Sequence, residues 1–381
     1  MNNHRYNDYY LVNDEDFAND DDSVELMPTK RRKVKRVFCI LVVVFSGLLV
    51  LGFLAAFVGL PLVFKFSLAL QQSLIFTRFG LQTNATYYGN FRLPEYKNHY
   101  VPVIDVDNKT TLKLGLWHIL PLDLAEISFY NESYDFDKVL KHSNYSVLLY
   151  FHGTGEDRSQ SWQKYQLLRS FFHVIAFDYR GYGDSQPGEM LENNVVNDCV
   201  QVYKWLQNRT ESPIYIWGHS LGANLATSTV ARLDQNANLT GLILEAAFTS
   251  LTDELYFHPY VKYLKWLPWF WDTVVKPLQH NGFLFDTTKH IEMVQCPILF
   301  LHAKDDEIVP YFMSQALYTA SKKRNVSEWV LNDTKLVLFN AKIGLNHYFI
   351  YRDSFTFFHI LDFLNHCSQN LQLSLEGSHQ S

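Results

Sequence analysis

The sequence predicts an α/β fold, a mostly parallel central sheet with helices on both faces, carried behind one N-terminal transmembrane helix. Three observations predict it. From about residue 85 to about residue 366, apolar β-branched and aromatic runs alternate with helix-period segments, the pattern of strands and crossover helices. Within that alternation, "YIWGHSLG" sets a serine between two glycines where a strand run becomes a small-residue helix. Ahead of it, residues 37–60 read "VFCILVVVFSGLLVLGFLAAFVGL", 24 residues without a charge. The 381-residue chain is 48% apolar and 19% charged, enough for one large core.

Taken in order, residues 1–29 carry eight acidic residues and one Arg and lack apolar periodicity, so a disordered acidic tail is expected. Residues 30–36, "KRRKVKR", add six positive charges. This run is short and abuts an apolar segment, and the net charge is −6, so no nucleic-acid surface is indicated. At about 1.5 Å per residue, residues 37–60 would span about 36 Å, against about 30 Å of bilayer core. A core helix of that length would show a polar face. A signal peptide would start nearer the N-terminus and have a shorter apolar region. The basic flank puts residues 1–36 in the cytosol and the rest on the far side. Asn-x-Ser/Thr sequons agree: Asn84, Asn108, Asn131, Asn144, Asn208, Asn238, Asn325 and Asn332 all follow the span and none precedes it.

Residues 61–84 read as a membrane-proximal segment, helical over 65–80. The strand runs follow: "VPVIDV" and "LKLGLWHIL", which could pair as an antiparallel hairpin edge, then "YSVLLYFHG", "HVIAFDYRG", "PIYIWGHS", "GLILEAAF", "PILFLHAKDD" and "KLVLFNA". The continuous apolar runs suit strands buried on both faces. One interruption, residues 250–290, is dense in aromatics and proline, and an insertion of that length is more often functional than passive. Residues 85–366 form the expected catalytic domain and 367–381 a C-terminal tail. Cys199, Cys296 and Cys367 follow the span, so one disulfide is possible and its pair is open.

The serine is Ser220. Gly-x-Ser-x-Gly between strand and helix is a nucleophile elbow, in which Gly218 and Gly222 avoid Cβ clashes and the hydroxyl is exposed at the C-terminal end of the sheet. A serine at its ordinary pKa is a weak nucleophile and needs a base, itself oriented by a carboxylate. The chain order for this elbow is serine, acid, histidine. Downstream, "HAKDDEIVP" ends a strand with Asp305 and Asp306, and "GLNHYFIY" puts His347 in a loop between a strand and a helix. His280, His290, His302, His359 and His366 are less well placed. Asp306, directly before "EIVP", is the preferred acid, with Asp305 a neighbour or N-cap. The turn "FHGTGE" offers the backbone N–H of Thr154, which with that of Leu221 would form the oxyanion hole. His152 is expected only to shape that turn.

Together, "YFHG", "FDYRGYGDS", "YIWGHSLG", "LHAKDDEIVP" and "GLNHYFIY" resemble the α/β-hydrolase family over about residues 85–366. With one N-terminal span and the sequons, the chain is most similar to the membrane-bound monoacylglycerol and lysophosphatidylserine lipases, the α/β-hydrolase domain-containing protein 12 type. That resemblance implies the α/β-hydrolase fold and an endoplasmic-reticulum enzyme with a lumenal site, and it matches Asp306 as the acid. "FHGTGE" departs from the "HGN" or "HGxA" common in relatives, which bears on the acyl pocket. The reading is a serine hydrolase cleaving single-chain lipid esters through an acyl-enzyme. The alternatives are a protein-thioester (depalmitoylating) hydrolase and an inactive membrane adaptor. The partners expected are lipid and membrane, with no nucleic acid, metal or other cofactor. Within the insertion, Tyr256, Phe257, Tyr260, Trp266, Trp269, Phe270 and Trp271 are expected to form an apolar lid, broken by Pro259 and Pro268.

Overall fold

The computed structural model describes residues 26–78, 95–107, 109–131, 133–234, 237, 239–261 and 263–378. The expected acidic tail up to residue 25, and Asn84, Asn108 and Asn238, lie outside the described residues. The chain divides into two units, residues 1–63 and 64–381. The first is built on the helix Leu26–Leu54, which passes through a π-helical turn, Ala55–Gly59, into Leu60–Phe66. Arg31–Phe66 forms 36 residues of helix, long and apolar enough to cross a membrane. The helix thus exceeds the expected span and takes in the basic run, because Lys and Arg are good helix formers and Pro28 sits in the first turn, where its missing N–H costs little.

The second unit carries an eight-stranded sheet. In chain order the strands are β1 (Tyr96–Ile104), β2 (Thr111–Ile119), β3 (Ser146–Phe151), β4 (Phe172–Phe177), β5 (Ile214–His219), β6 (Leu239–Glu245), β7 (Ile298–Ala303) and β8 (Lys335–Phe339). Their spatial order is β1-β2-β4-β3-β5-β6-β7-β8. The expected hairpin is present: β1 and β2 pair antiparallel from Tyr96↔Ile119 to Ile104↔Thr111, and β2 also meets β4 antiparallel. All other neighbours run parallel. Each of the eight apolar runs is a strand, and every residue of β4, β5 and β7 is buried, as continuous apolar runs require when helices cover both faces.

On one face the core joins Val147 and Leu149 of β3 to the helices Glu192–Gln207, Leu221–Val230 and Phe312–Ser321. On the other, Trp117, Tyr150 and Trp217 pack with Tyr165 and Leu168 of Trp162–Leu168 and with Ile360 and Phe363 of the last helix, Ser354–Ser378. The short helix Leu68–Ile75 leads into this unit: Phe76 is buried, its ring centroid 6.4 Å from Phe283 and 6.0 Å from Phe285. Parallel strands put their carboxyl ends at one edge, so the segments after β3, β5, β7 and β8 meet there. The insertion between β6 and β7 holds the helices Leu251–Phe257, Lys276–His280 and Thr287–Ile291 and a π-helical turn, Trp271–Val275. Side chains cap two of them, Ser250 Oγ accepting from Asp253 N (3.1 Å) and Asp286 Oδ1 from Lys289 N (3.1 Å).

Candidate active site

Ser220 follows β5 and caps the helix Leu221–Val230 with φ 55° and ψ −121°, a strained conformation for a residue with a side chain. The crowding that demands glycine on either side is visible. A Cβ on Gly218 would lie 2.5 Å from Ala223 Cα, and one on Gly222 would lie 2.6 Å from the His152 carbonyl oxygen. Strand, turn and helix can therefore pack closely only without those side chains. Ser220 N donates to Glu245 O of β6 at 2.9 Å, which ties the elbow to the sheet.

Asp306 and His347, on the segments after β7 and β8, meet: His347 Nδ1 is 2.7 Å from Asp306 Oδ2. Asp306 Oδ1 accepts from the N–H groups of Ile308 and Val309, both at 2.9 Å, so the "EIVP" turn aims its carboxylate. His302 Nε2 lies 3.2 Å from Asp306 Oδ2, a contact the sequence reading missed although the four-residue spacing at a strand end signals it. Burial pushes the Asp306 carboxyl up, but the hydrogen bonds of His302 and His347 outweigh it and hold the group below the usual carboxylate range. For His347, burial dominates and lowers the pKa; Asp306 opposes, and His219 and His302 lower it further. The lowered pKa favours the neutral ring, with Nδ1 held by a carboxylate and Nε2 left to accept a proton. Asp305 is not an N-cap. Its Oδ2 accepts from Asn346 N at 2.9 Å, which pins Asn346, at φ 50°, beside His347.

Leu221 opens its helix, so its N–H is one of the donors a helix leaves unpaired. Thr154 follows β3 and is exposed, and among the described residues its N–H makes no backbone hydrogen bond. The turn is braced from below. Tyr179 OH donates to His152 O at 2.9 Å, and His152 Nδ1 lies 2.9 Å from Gly153 O, in keeping with a turn-shaping role. A hollow of about 310 Å³ opens beside Thr154, bounded by Glu156, Lys164 and Tyr348. A second of about 750 Å³, by Thr240, Cys296 and Pro297, lies at the opposite edge of the parallel strands and is not part of the site.

The insertion divides its aromatics. Tyr260 is 85% and Trp266 74% exposed, and Tyr256, Phe257 and Trp271 are also exposed, with Trp269 half-buried. Phe270, expected among the lid residues, is only 4% exposed: one ring of the cluster turns inward, as a helix following a proline-broken turn must bury one face. Glu254 on Leu251–Phe257 was also missed. It is 8% exposed, its Oε2 has no hydrogen-bond partner among the described residues, and burial, with Asp306 adding, pushes its carboxyl up to about 8. Asn131, Asn144, Asn208, Asn325 and Asn332 are exposed. The four cysteines are free; Cys199, Cys296 and Cys367 are buried thiols. Among the described residues no group of three or more His, Cys, Asp or Glu could hold a metal ion.

A family model described as serine aminopeptidase, S33, matches residues 142–283. The chain is 31% identical over 324 residues to the lysophosphatidylserine lipase ABHD12 of Xenopus tropicalis, covering 83% of this chain and 82% of that protein. With the mouse protein of the same name, from Mus musculus, it is 30% identical over 80% of this chain and 76% of that one. Human protein ABHD12B is 28% identical over 72% and 74%. Among solved structures, an esterase of Pyrococcus furiosus, Pf2001, superposes with a TM-score of 0.50 at 18% identity, covering 75% of this chain and 97% of its own, a likeness of fold.

Proposed function

We propose, for a chain that belongs to the family of the ABHD12 lipases, hydrolysis of the ester of single-chain lipids, lysophosphatidylserine and monoacylglycerol among them, with Ser220 as nucleophile. The observation that carries the assignment of roles is the 2.7 Å contact of His347 Nδ1 with Asp306 Oδ2 at the sheet edge where the strained Ser220 turn ends. His347 Nε2 takes the Ser220 proton as Oγ attacks the ester carbonyl. Asp306 holds the ring in the Nδ1–H tautomer and stabilises the imidazolium. The N–H groups of Thr154 and Leu221 receive the oxyanion. His347 then protonates the leaving glycerol oxygen, and an acyl-Ser220 ester remains. Water, deprotonated by the same Nε2, attacks that ester, releases the fatty acid and restores the hydroxyl.

The N-terminal helix anchors the enzyme in a membrane, where such substrates partition. The finer assignment is an endoplasmic-reticulum protein with residues 1–36 cytosolic and the hydrolase domain lumenal and glycosylated. The six charges of "KRRKVKR" before the span and the sequons after it support that orientation. The exposed aromatics of 250–290 serve as a cap over the acyl chain. The test compares the unaltered protein with Ser220→Ala on vesicles holding long-chain monoacylglycerol or lysophosphatidylserine, reading free fatty acid. Loss of release and of fluorophosphonate labelling in Ser220→Ala is expected. Release retained by Ser220→Ala overturns the reading.

A further inference from the structure

His219 stands between Gly218 and the candidate nucleophile, buried beneath the elbow. Its Nε2 is 3.0 Å from the His347 carbonyl oxygen. A carbonyl only accepts, so Nε2 carries a proton and donates. Its Nδ1 faces Glu156 Oε2 at 3.5 Å. The same Oε2 accepts the Gly153 N–H at 3.0 Å. The packing is close: a Cβ on Gly153 would come within 3.0 Å of His219 Nδ1. One carboxylate and one imidazole thus connect the turn after β3, the elbow after β5 and the loop after β8, the three segments that must hold the oxyanion donors, the nucleophile and the base in register.

The charges around this pair are few. Lys164 and Glu245 also face His219 and pair with each other at 2.6 Å, while Glu156 is the carboxylate at Nδ1. His347 stands with its ring centroid 4.9 Å away, and the Tyr348 ring at 5.6 Å. Around His347 itself are Asp306, His302 and His258. Burial and Lys164 work against a proton on His219, yet Glu245 and Glu156 outweigh them and raise its pKa. Burial raises Glu156 in turn, and His219, Lys164 and the Gly153 N–H more than reverse it. Both directions favour an imidazolium–carboxylate pair.

We propose that Glu156 and His219 are a charged positioning pair that aligns the oxyanion turn with the His347 loop and keeps His347 unprotonated into the acid range. The positive ring beside His347 disfavours a second positive charge there in the resting enzyme. Asp306 restores that balance when His347 takes the serine proton. The pair rests on Ser220 and His347 acting as nucleophile and base, and it accounts for the glutamate in the departing "FHGTGE" turn.

The test reads the second-order rate of fluorophosphonate labelling against pH in the full-length protein in detergent, a readout that needs nucleophile and base but no lipid. Glu156→Gln keeps an acceptor for the Gly153 N–H and removes the charge, so His219 loses its proton more readily and His347 holds its own more strongly. The acid limb should move up by at least about half a pH unit, with a lower plateau. Glu156→Asp, which keeps the charge, should leave the limb in place. His219→Gln should move it as Glu156→Gln does, and the double variant should move it no further. An unmoved limb in Glu156→Gln, an equal movement in Glu156→Asp, or additive shifts in the double variant each overturn the proposal. Thermal midpoints near that of the unaltered protein show that the variants fold; if His219→Gln does not, the Gln and Asp variants at 156 decide alone. Labelling that persists in Ser220→Ala would instead overturn the reading of the site.

Discussion

Asp305 and Asp306 are adjacent, chemically identical and both within reach of the His347 loop, yet they do different things. Asp306 Oδ2 meets the imidazole, while Asp305 Oδ2 meets the backbone N–H of Asn346. Asp306→Asn would present an amide to Nδ1 and favour the wrong tautomer, and turnover should fall on the order of 10³–10⁴-fold. Asp305→Asn keeps an oxygen acceptor for Asn346 and should stay within about tenfold. Steady-state rates of both variants on a soluble ester check this, and a crippled Asp305→Asn would reverse the assignment. Glu254 makes a second residue-scale prediction. Below about 4.5, its ordinary value, both folded and unfolded states hold the proton; between there and about 8 only the folded state does. Stability therefore falls as pH rises across that window and levels off above it. Glu254→Gln is neutral throughout, so from pH 5 to pH 8 it should gain on the unaltered protein by on the order of a few kcal/mol. Denaturant midpoints at the two pH values measure the difference, and a constant gap would contradict the buried, unpartnered carboxyl.

At the scale of elements, the elbow and the insertion work by opposite means. The elbow is built on contact: β5, its turn and the following helix approach so closely that Gly222→Ala drives a methyl against the carbonyl of His152. We expect a loss of about 1–3 kcal/mol in stability together with lost labelling of Ser220. The insertion instead leaves apolar surface uncovered. Trp266→Ala should keep the thermal midpoint within a degree or two, since the ring is 74% exposed, and should lower activity on long-chain substrate in vesicles more than on a short soluble ester. Phe270→Ala should do the reverse, costing about 3–5 kcal/mol of stability because that ring is core. Equal losses on both substrates in Trp266→Ala would mean the exposed ring has no part in holding the acyl chain.

At the scale of the whole molecule, the apolar N-terminal helix and the hydrolase domain belong to different units, so their contributions separate. Removing residues 1–63 should spare hydrolysis of a short soluble ester, because the site residues lie within 64–381. The cut must stop there, since Phe76 packs into the hydrolase core. The same truncation should weaken hydrolysis of long-chain lipid in vesicles, and undiminished vesicle activity would mean the helix sets location alone. For orientation, glycosidase treatment should speed the protein's migration on a gel, and protease added to intact microsomes should trim only the N-terminal tail. A protected tail with an unshifted band would reverse the topology.

What the sequence by itself determined is what is written in local order. Period and composition are properties of adjacent residues, so the eight strand runs, the antiparallel opening, the apolar N-terminal helix and the glycine-flanked Ser220 were all legible. The place of His347 beside a carboxylate at that sheet edge was legible by the chain order that follows such an elbow. Only the tertiary structure decided what depends on residues far apart in the chain. It set Asp306, the acid the sequence preferred, against a ring 41 residues away and turned Asp305 to the Asn346 N–H, a divergence of two consecutive side chains that packing sets. It turned Phe270 inward among aromatics whose spacing alone ranks them equally. It brought His302 onto Asp306, left Glu254 Oε2 without a partner among the described residues, and closed Glu156, His219 and the His347 loop into one linkage across 191 residues of chain, from 156 to 347. The physical reason is common to all of these. Secondary structure is set by neighbours in sequence, whereas the field and hydrogen bonds at a buried group are set by whichever distant segments the sheet carries to the same edge.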